Sequence, residues 1–305
     1  MHRVEIQQKK IVREIPSVIE EMNQEQFIFY ISLVLDYLGG KINIEEFKIK
    51  LICKLLGVTI NPSYFLLPES EKMEISSNIN NLAQLCETFF EEQLQDEKKV
   101  KVFRMSFTKN FIPRIGRYYG PADALQDVTF CEYRIAHQYY AAFVKSHEQD
   151  DLNHLIAALY RPRRLFYRII RHFWFFDGQQ RRPITSKTNP SLIEKRARKI
   201  SRLPMPIRYG IFLYFSGCEE FLQKGAIEIE GKKIDFSCLY EQETKIDGLP
   251  DIGAVGLLFT MAETHVFGSI DETDNQNLYD IMIRLYQVVK QNKAIEAQYK
   301  KNDTD

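Results

Sequence analysis

Gly120–Pro162, GPADALQDVTFCEYRIAHQYYAAFVKSHEQDDLNHLIAALYRP, holds the pattern that decides the fold. Gly120-Pro121 signals a turn into a short acidic loop. Thr129 followed by Glu132 has the spacing of a capping box, so a helix is expected to start there. Phe130, Tyr133, Ala136, His137, Tyr140 and Phe143 then recur at helical intervals. A polar break at 147–150 separates them from Leu152, Leu155, Ile156 and Leu159, which mark one face of a second helix stopped by Pro162. The stretch reads as a helical hairpin. Phe130, Tyr133, Leu155 and Leu159 are its expected core residues.

Working outward, the same period dominates the chain. Gln24–Leu38 is expected to be helical and to stop at Gly39-Gly40. Ile44–Leu56 repeats the pattern and closes at Gly57, which makes a second hairpin. A longer helix is expected over Glu71–Leu94. Val100–Phe107 alternates like a short strand, and residues 1–22 read as an arm or strand. Beyond Pro162, the aromatic and basic run Leu165–Phe176 is read as a helix. Asn189-Pro190 opens a basic helix through Leu203, and Ile207–Leu222 is an apolar one. Ile227–Phe236 reads as a small β-hairpin around Glu230-Gly231. A helix capped by Asp251 and ended by Gly268, then one over Asn275–Tyr299, complete the chain. The expected class is mainly α, a multi-helix globular bundle with helical hairpins and a small β-hairpin.

The 305 residues suffice for one large domain or two ordinary ones. The best boundary lies near 177–189. It divides an N-terminal helical region, 1–176, from a C-terminal one, 177–305, although helices on both sides can share one core. The five cysteines are scattered and never spaced as CxxC, which fits buried free thiols in a reducing compartment. The N-terminal MHRVEIQQKK lacks the apolar core of a signal peptide. Phe27–Leu38 is too short to span a bilayer, and Ile207–Phe221 is interrupted by Gly217 and two acids. A soluble cytoplasmic protein, without a membrane partner, is the expectation.

Charge is balanced overall and segregated locally. Arg161–Arg208 carries 14 Lys/Arg against only Asp177 and Glu194, so the rest of the chain is acidic. Such a block binds a polyanion or the protein's own acids. On a helix, Arg164, Arg168 and Arg171 share a face, and Lys195, Arg196, Arg198, Lys199 and Arg202 form a second basic surface. These eight are the candidate contacts to phosphate groups, with neighbouring aromatics able to stack on bases. The competing reading is an acid-paired or solvated face with the aromatics in the core. Interfacial membrane contact through Trp174 is a further option, but the apolar stretch is short.

Catalytic chemistry finds little footing. His147/Asp151 and Asp150/His154 are i, i+4 pairs of metal-ligand type. They sit at a helix start, however, where acids serve the dipole, and no zinc signature accompanies them. There is no GxSxG, no assignable cysteine–histidine pair and no phosphate loop. No catalytic, cofactor-binding or metal residue is assigned, and the chain is expected not to be an enzyme.

Two stretches resemble proteins of the tail gene cluster of tailed bacteriophages and prophages of gut-type bacteria, including tail-assembly chaperone-like proteins. One is DVTFCEYRIAHQYY (Asp127–Tyr140) with LNHLIAALYRP (Leu152–Pro162). The other is GLPDIGAVGLLFTMAETHVFGSIDETDNQNLYDIMIRLYQ (Gly248–Gln287). The resemblance implies a non-enzymatic factor made in the host cytoplasm that holds a tape-measure or tube protein, or joins the virion. It carries over no functional residue. Nucleic-acid binding through the basic segment is the alternative.

Overall fold

A computed structural model describes residues 1–6, 11–58, 62–95, 98–174, 180–185, 187–229, 232–239, 258–259, 261–263 and 266–302. It is mainly helical, with small antiparallel sheets. Two compact units emerge: Met1–Met105 with Pro204–Gly210, and Ser106–Leu203 with Ile211–Asp305. The expected boundary near 177–189 falls inside the second unit, because helices on both sides of it pack on each other.

The first unit opens with the antiparallel pair β1 (His2–Ile6) and β2 (Ile11–Ile15). Helices α1 (Gln24–Leu38) and α2 (Ile44–Leu56) follow. Each starts at an asparagine, Asn23 or Asn43, in a reciprocal capping box with Gln26 or Glu46. Helix α3 (Glu69–Ala83) ends eleven residues before its expected terminus at Leu94. A 3-10 turn leads instead into β3 (Phe90–Gln95), which pairs with β4 (Lys98–Phe103) in the register Phe90↔Phe103. Here cross-strand packing outweighs the helix propensity of the Glu/Gln run. The Phe90 and Phe103 rings lie 5.0 Å apart, and Phe47 meets both, at 5.7 and 4.8 Å. Tyr30, Val34, Phe47, Leu51 and Phe89 build the core around them.

The second unit is organised by the predicted central hairpin, α4 (Phe130–Ser146) and α5 (Gln149–Leu159). Phe130, Tyr133, Leu155 and Leu159 are all buried, as expected. Ahead of it, the short strands β5 (Arg114–Ile115) and β6 (Tyr118–Tyr119) form a hairpin. Strand β7 (Arg161–Pro162), directly after α5, pairs with β6. Gly120 is required at this corner: a Cβ there would lie 2.5 Å from the Tyr160 ring. The Tyr160 hydroxyl donates to the Ile112 carbonyl at 2.6 Å and to Asn110 Oδ1 at 3.1 Å.

After the four-residue helix α6 (Tyr167–Ile170), α7 (Pro190–Ile200) packs against α5, with Asn189 as its cap and Pro190 in the first turn. Helix α8 (Met205–Lys224) begins in the first unit's Pro204–Gly210 segment and belongs to the second from Ile211. Its Gly217 lies against the Phe107 backbone, where a Cβ would sit 2.4 Å from the carbonyl oxygen. The predicted small hairpin is β8 (Ala226–Ile229) with β9 (Lys232–Asp235). Most of the helix expected after Asp251 lies outside the described residues, while its Leu258, Met261 and Ala262 are buried. Ser269 and Glu272 form a capping box for α9 (Ile270–Asp274). The long α10 (Leu278–Asn302) buries Leu278, Ile281, Met282 and Leu285. Among the described residues, no helix is long and apolar enough to cross a membrane.

Candidate functional site

The basic segment meets three fates. The first centres on Glu132. Thr129 caps α4 by accepting from the Glu132 backbone N–H at 3.3 Å, which is half of the expected capping box. The other half is absent because the Glu132 carboxylate is committed elsewhere. It is fully buried, 2.5 Å from Nη1 of Arg181 through Oε1 and 2.5 Å from Nη2 of Arg161 through Oε2. The second contact is an ion pair in which no N–H lines up with the oxygen. Arg181 also donates to the Leu159 and Asp127 carbonyls at 3.0 and 3.2 Å, and pairs with the Asp127 carboxylate at 3.0 Å. Removing the charges of Arg161 and Arg181 from water is offset only by such pairing. Sequence reading assigned these two arginines to an undivided basic block and Glu132 to a cap. The visible signal was an acid placed in the first turn of an otherwise apolar helix face.

The second fate is a projecting loop. Its base is closed by a bridge between Arg163 and Arg181, with Arg164 N donating to Gln180 O at 3.0 Å and Arg182 N to Pro162 O at 2.9 Å. The Arg163 guanidinium stacks over the Tyr119 and Tyr167 rings, 5.5 and 4.3 Å from their centroids. Of the long helix expected over Leu165–Phe176, the described residues hold only α6, which starts after Phe166 because that residue takes a left-handed conformation (φ 57°); Phe175 and Phe176 lie outside the described residues. Arg164 therefore precedes the helix, and Arg164, Arg168 and Arg171 do not share a helical face. The aromatics expected in the core are outside instead. Leu165, Phe166, Ile169 and Phe173 are about half or more exposed, and Trp174 is 94% exposed. Isolated apolar residues on a surface are ordinary, but five within ten positions form a patch of the sort used for binding.

The third fate is α7. Lys195, Arg198, Lys199 and Arg202 are exposed around it, and Arg198 pairs with Glu194 at 3.0 Å. Arg196 turns the other way and is half-buried, its guanidinium held below the usual arginine range by burial. Of the eight proposed polyanion contacts, Arg196 is thus directed inward, and the rest divide between loop and helix.

The histidine–carboxylate pairs of the hairpin do not converge. His147 adopts a left-handed conformation at the α4 C-terminus. Asp151 accepts from Ser146 Oγ at 2.9 Å. His154 contacts the Asp150 carbonyl and the Glu194 carboxylate, both at 2.7 Å. Among the described residues, no cluster of three or more His, Cys, Asp or Glu is arranged to hold a metal ion. Burial raises the Cys86 and Cys131 thiols to about 12, well outside a nucleophile's range. The chain matches no protein-family model, no curated protein and no solved structure.

Proposed function

We propose that this protein is a non-enzymatic interaction factor of phage tail assembly, chaperone-like or carried in the virion, and that it works in the host cytoplasm. The observation that supports an interaction role is the Leu165–Trp174 tip, where apolar and aromatic side chains are held in solvent on a loop closed at its base. Displaying such a surface is unfavourable unless a partner covers it, and aromatic side chains supply large contact area at low entropic cost. The assignment to tail assembly rests on the resemblance in Asp127–Tyr140, Leu152–Pro162 and Gly248–Gln287. A tape-measure or tube protein is the partner that this resemblance implies. Co-expression with the tail proteins and affinity capture tests it. The tape-measure or tube protein should co-purify with the wild type and be lost from the Phe166→Ser, Trp174→Ser double variant; absence of both from the wild-type eluate refutes the proposal.

A second reading, nucleic-acid binding, draws on the exposed Lys195 and Lys199 of α7 and on Arg202 just after it. It predicts binding that weakens steeply with salt. No retention of single- or double-stranded DNA or RNA at low salt rejects it.

A further inference from the structure

Two exposed apolar surfaces of opposite charge are present among the described residues. One is the Leu165–Trp174 tip of the second unit, which carries Arg168 and Arg171 and contains no Asp or Glu. The other belongs to the first unit, where the 3-10 turn Pro62–Leu66 leads into α3. The Tyr64 hydroxyl lies 3.2 Å from Ser76 Oγ, one helical turn beyond Met73, which lays the 3-10 turn against the helix. Phe65 meets Tyr64 edge-on, with 5.7 Å between ring centroids, and is still 70% exposed. Leu66 is 87% exposed and Met73 72%. Of the α3 residues only Ala83 is buried, so this helix stands at the surface of its unit.

The charge around this second surface is acidic. Pro62–Ala83 holds Glu69, Glu71 and Glu74 against one cation, Lys72, which pairs with Glu69 at 2.9 Å. Glu69 lies one turn before Met73 and Glu74 directly follows it, so carboxylates border the exposed apolar group. Large apolar side chains in water mark both surfaces as contact sites. Like cannot mate with like: two tips would set arginine against arginine, and two α3 surfaces glutamate against glutamate. A tip against α3 removes apolar side chains from water on both sides and brings Arg168 and Arg171 to carboxylates. The pairing joins different patches, so it is heterologous.

We propose that the Leu165–Trp174 tip of one copy docks on the Phe65–Glu74 surface of a second copy of this chain. This rests on the reading of the tip as a binding surface and adds its regulation, since a partner protein has to displace the second copy to reach Phe166 and Trp174. The contact is small, which suits a weak and quickly reversible association.

Trp174 is the single tryptophan of the chain, so its emission reports on the tip alone. Dilute wild-type protein is titrated with Trp174→Phe protein, which is dark in tryptophan emission and keeps the α3 surface, up to about 0.5 mM, where a weak contact saturates. The wild-type emission should move to shorter wavelength as Trp174 leaves water. Glu69→Lys with Glu74→Lys in the dark protein should weaken the response about tenfold or more, because it sets like charges together. Arg168→Glu with Arg171→Glu in the emitting protein should do the same. Mixing the two reversed proteins should restore the response, which a folding defect in either cannot do. All four positions are exposed, and circular dichroism checks that each variant is folded. Absence of a shift up to about 0.5 mM overturns the proposal. So does a shift that either reversal leaves unchanged, or failure of the two reversed proteins to respond to each other. A shift produced by single-stranded DNA or by phosphatidylglycerol vesicles, but not by the dark protein, assigns the tip to a polyanion and also overturns it. No tail protein is present in the titration, so its failure leaves the tail-assembly reading to its own capture test.

Discussion

Arg161 and Arg168 belong to one basic segment and end in opposite environments. Arg161 follows a helix whose last residues are all apolar, and the chain turns there into a strand paired with Tyr119. That pairing places its side chain inside, where the Glu132 carboxylate offsets its burial. Arg168 lies in the segment that follows the Arg163–Arg181 bridge, where it is exposed, so its charge stays in water beside exposed apolar neighbours. Local composition is nearly the same in both places. The difference comes from whether backbone pairing returns the residue to the core or to the loop, and it separates a structural cation from a surface available to partners.

The comparison predicts a graded set of effects. Glu132→Ala strips both buried guanidiniums of their shared carboxylate and should cost about 3–5 kcal/mol, the range for breaking a buried pair. Chemical denaturation measures this directly, and a loss under about 1 kcal/mol would show that the network is solvated rather than structural. Gly217→Ala places a methyl against the Phe107 backbone and should cost about 1–3 kcal/mol as overpacking, without altering capture of a partner.

His137 lies between the two extremes, half-exposed and 3.3 Å from the buried Glu219. Glu219 raises its pKa above the ordinary 6.5 despite partial burial. A histidine raised on folding contributes its stabilisation fully below 6.5 and loses it as pH rises through the folded value. Melting temperature measured against pH should show that decline in the wild type and a flatter profile in His137→Gln. At the small end, Phe166→Ser with Trp174→Ser should change stability by within about 0.5 kcal/mol per site, as for other surface replacements. The same pair should abolish partner capture. Arg198→Gln, which breaks an exposed i, i+4 pair with Glu194, should leave the denaturation midpoint essentially unchanged.

Periodicity and capping chemistry made most of the helices legible. Thr129 and Asn189 cap helices where the sequence places them, whereas the caps at Asn23, Asn43 and Ser269 emerge only in the structure; the apolar faces of α4 and α5 are buried where their spacing places them. The errors share a physical origin. The run after Ala83 has helix-forming residues, but Phe90 gains more by pairing with Phe103 across a hairpin. Leu165–Phe176 has helical spacing, but in its described residues, 165–174, the left-handed Phe166 precedes a single short helix, α6, and Arg163 bridges to Arg181.

The candidate surfaces were legible in kind rather than in arrangement. Charge counting located the basic segment, and its aromatic residues were already visible beside it. Which arginines pair internally depends on Glu132, 29 positions before Arg161 and 49 before Arg181, and no local pattern encodes that meeting. By itself the sequence determined a mainly helical protein, the central hairpin, its Thr129 cap and its core face, because those follow from short-range spacing and hydrogen bonding. Tertiary structure alone decided which cations are buried, which aromatics face water, and how two guanidiniums came to share one carboxylate. Those outcomes depend on distant segments packing together, and burial changes what an identical side chain costs and can do.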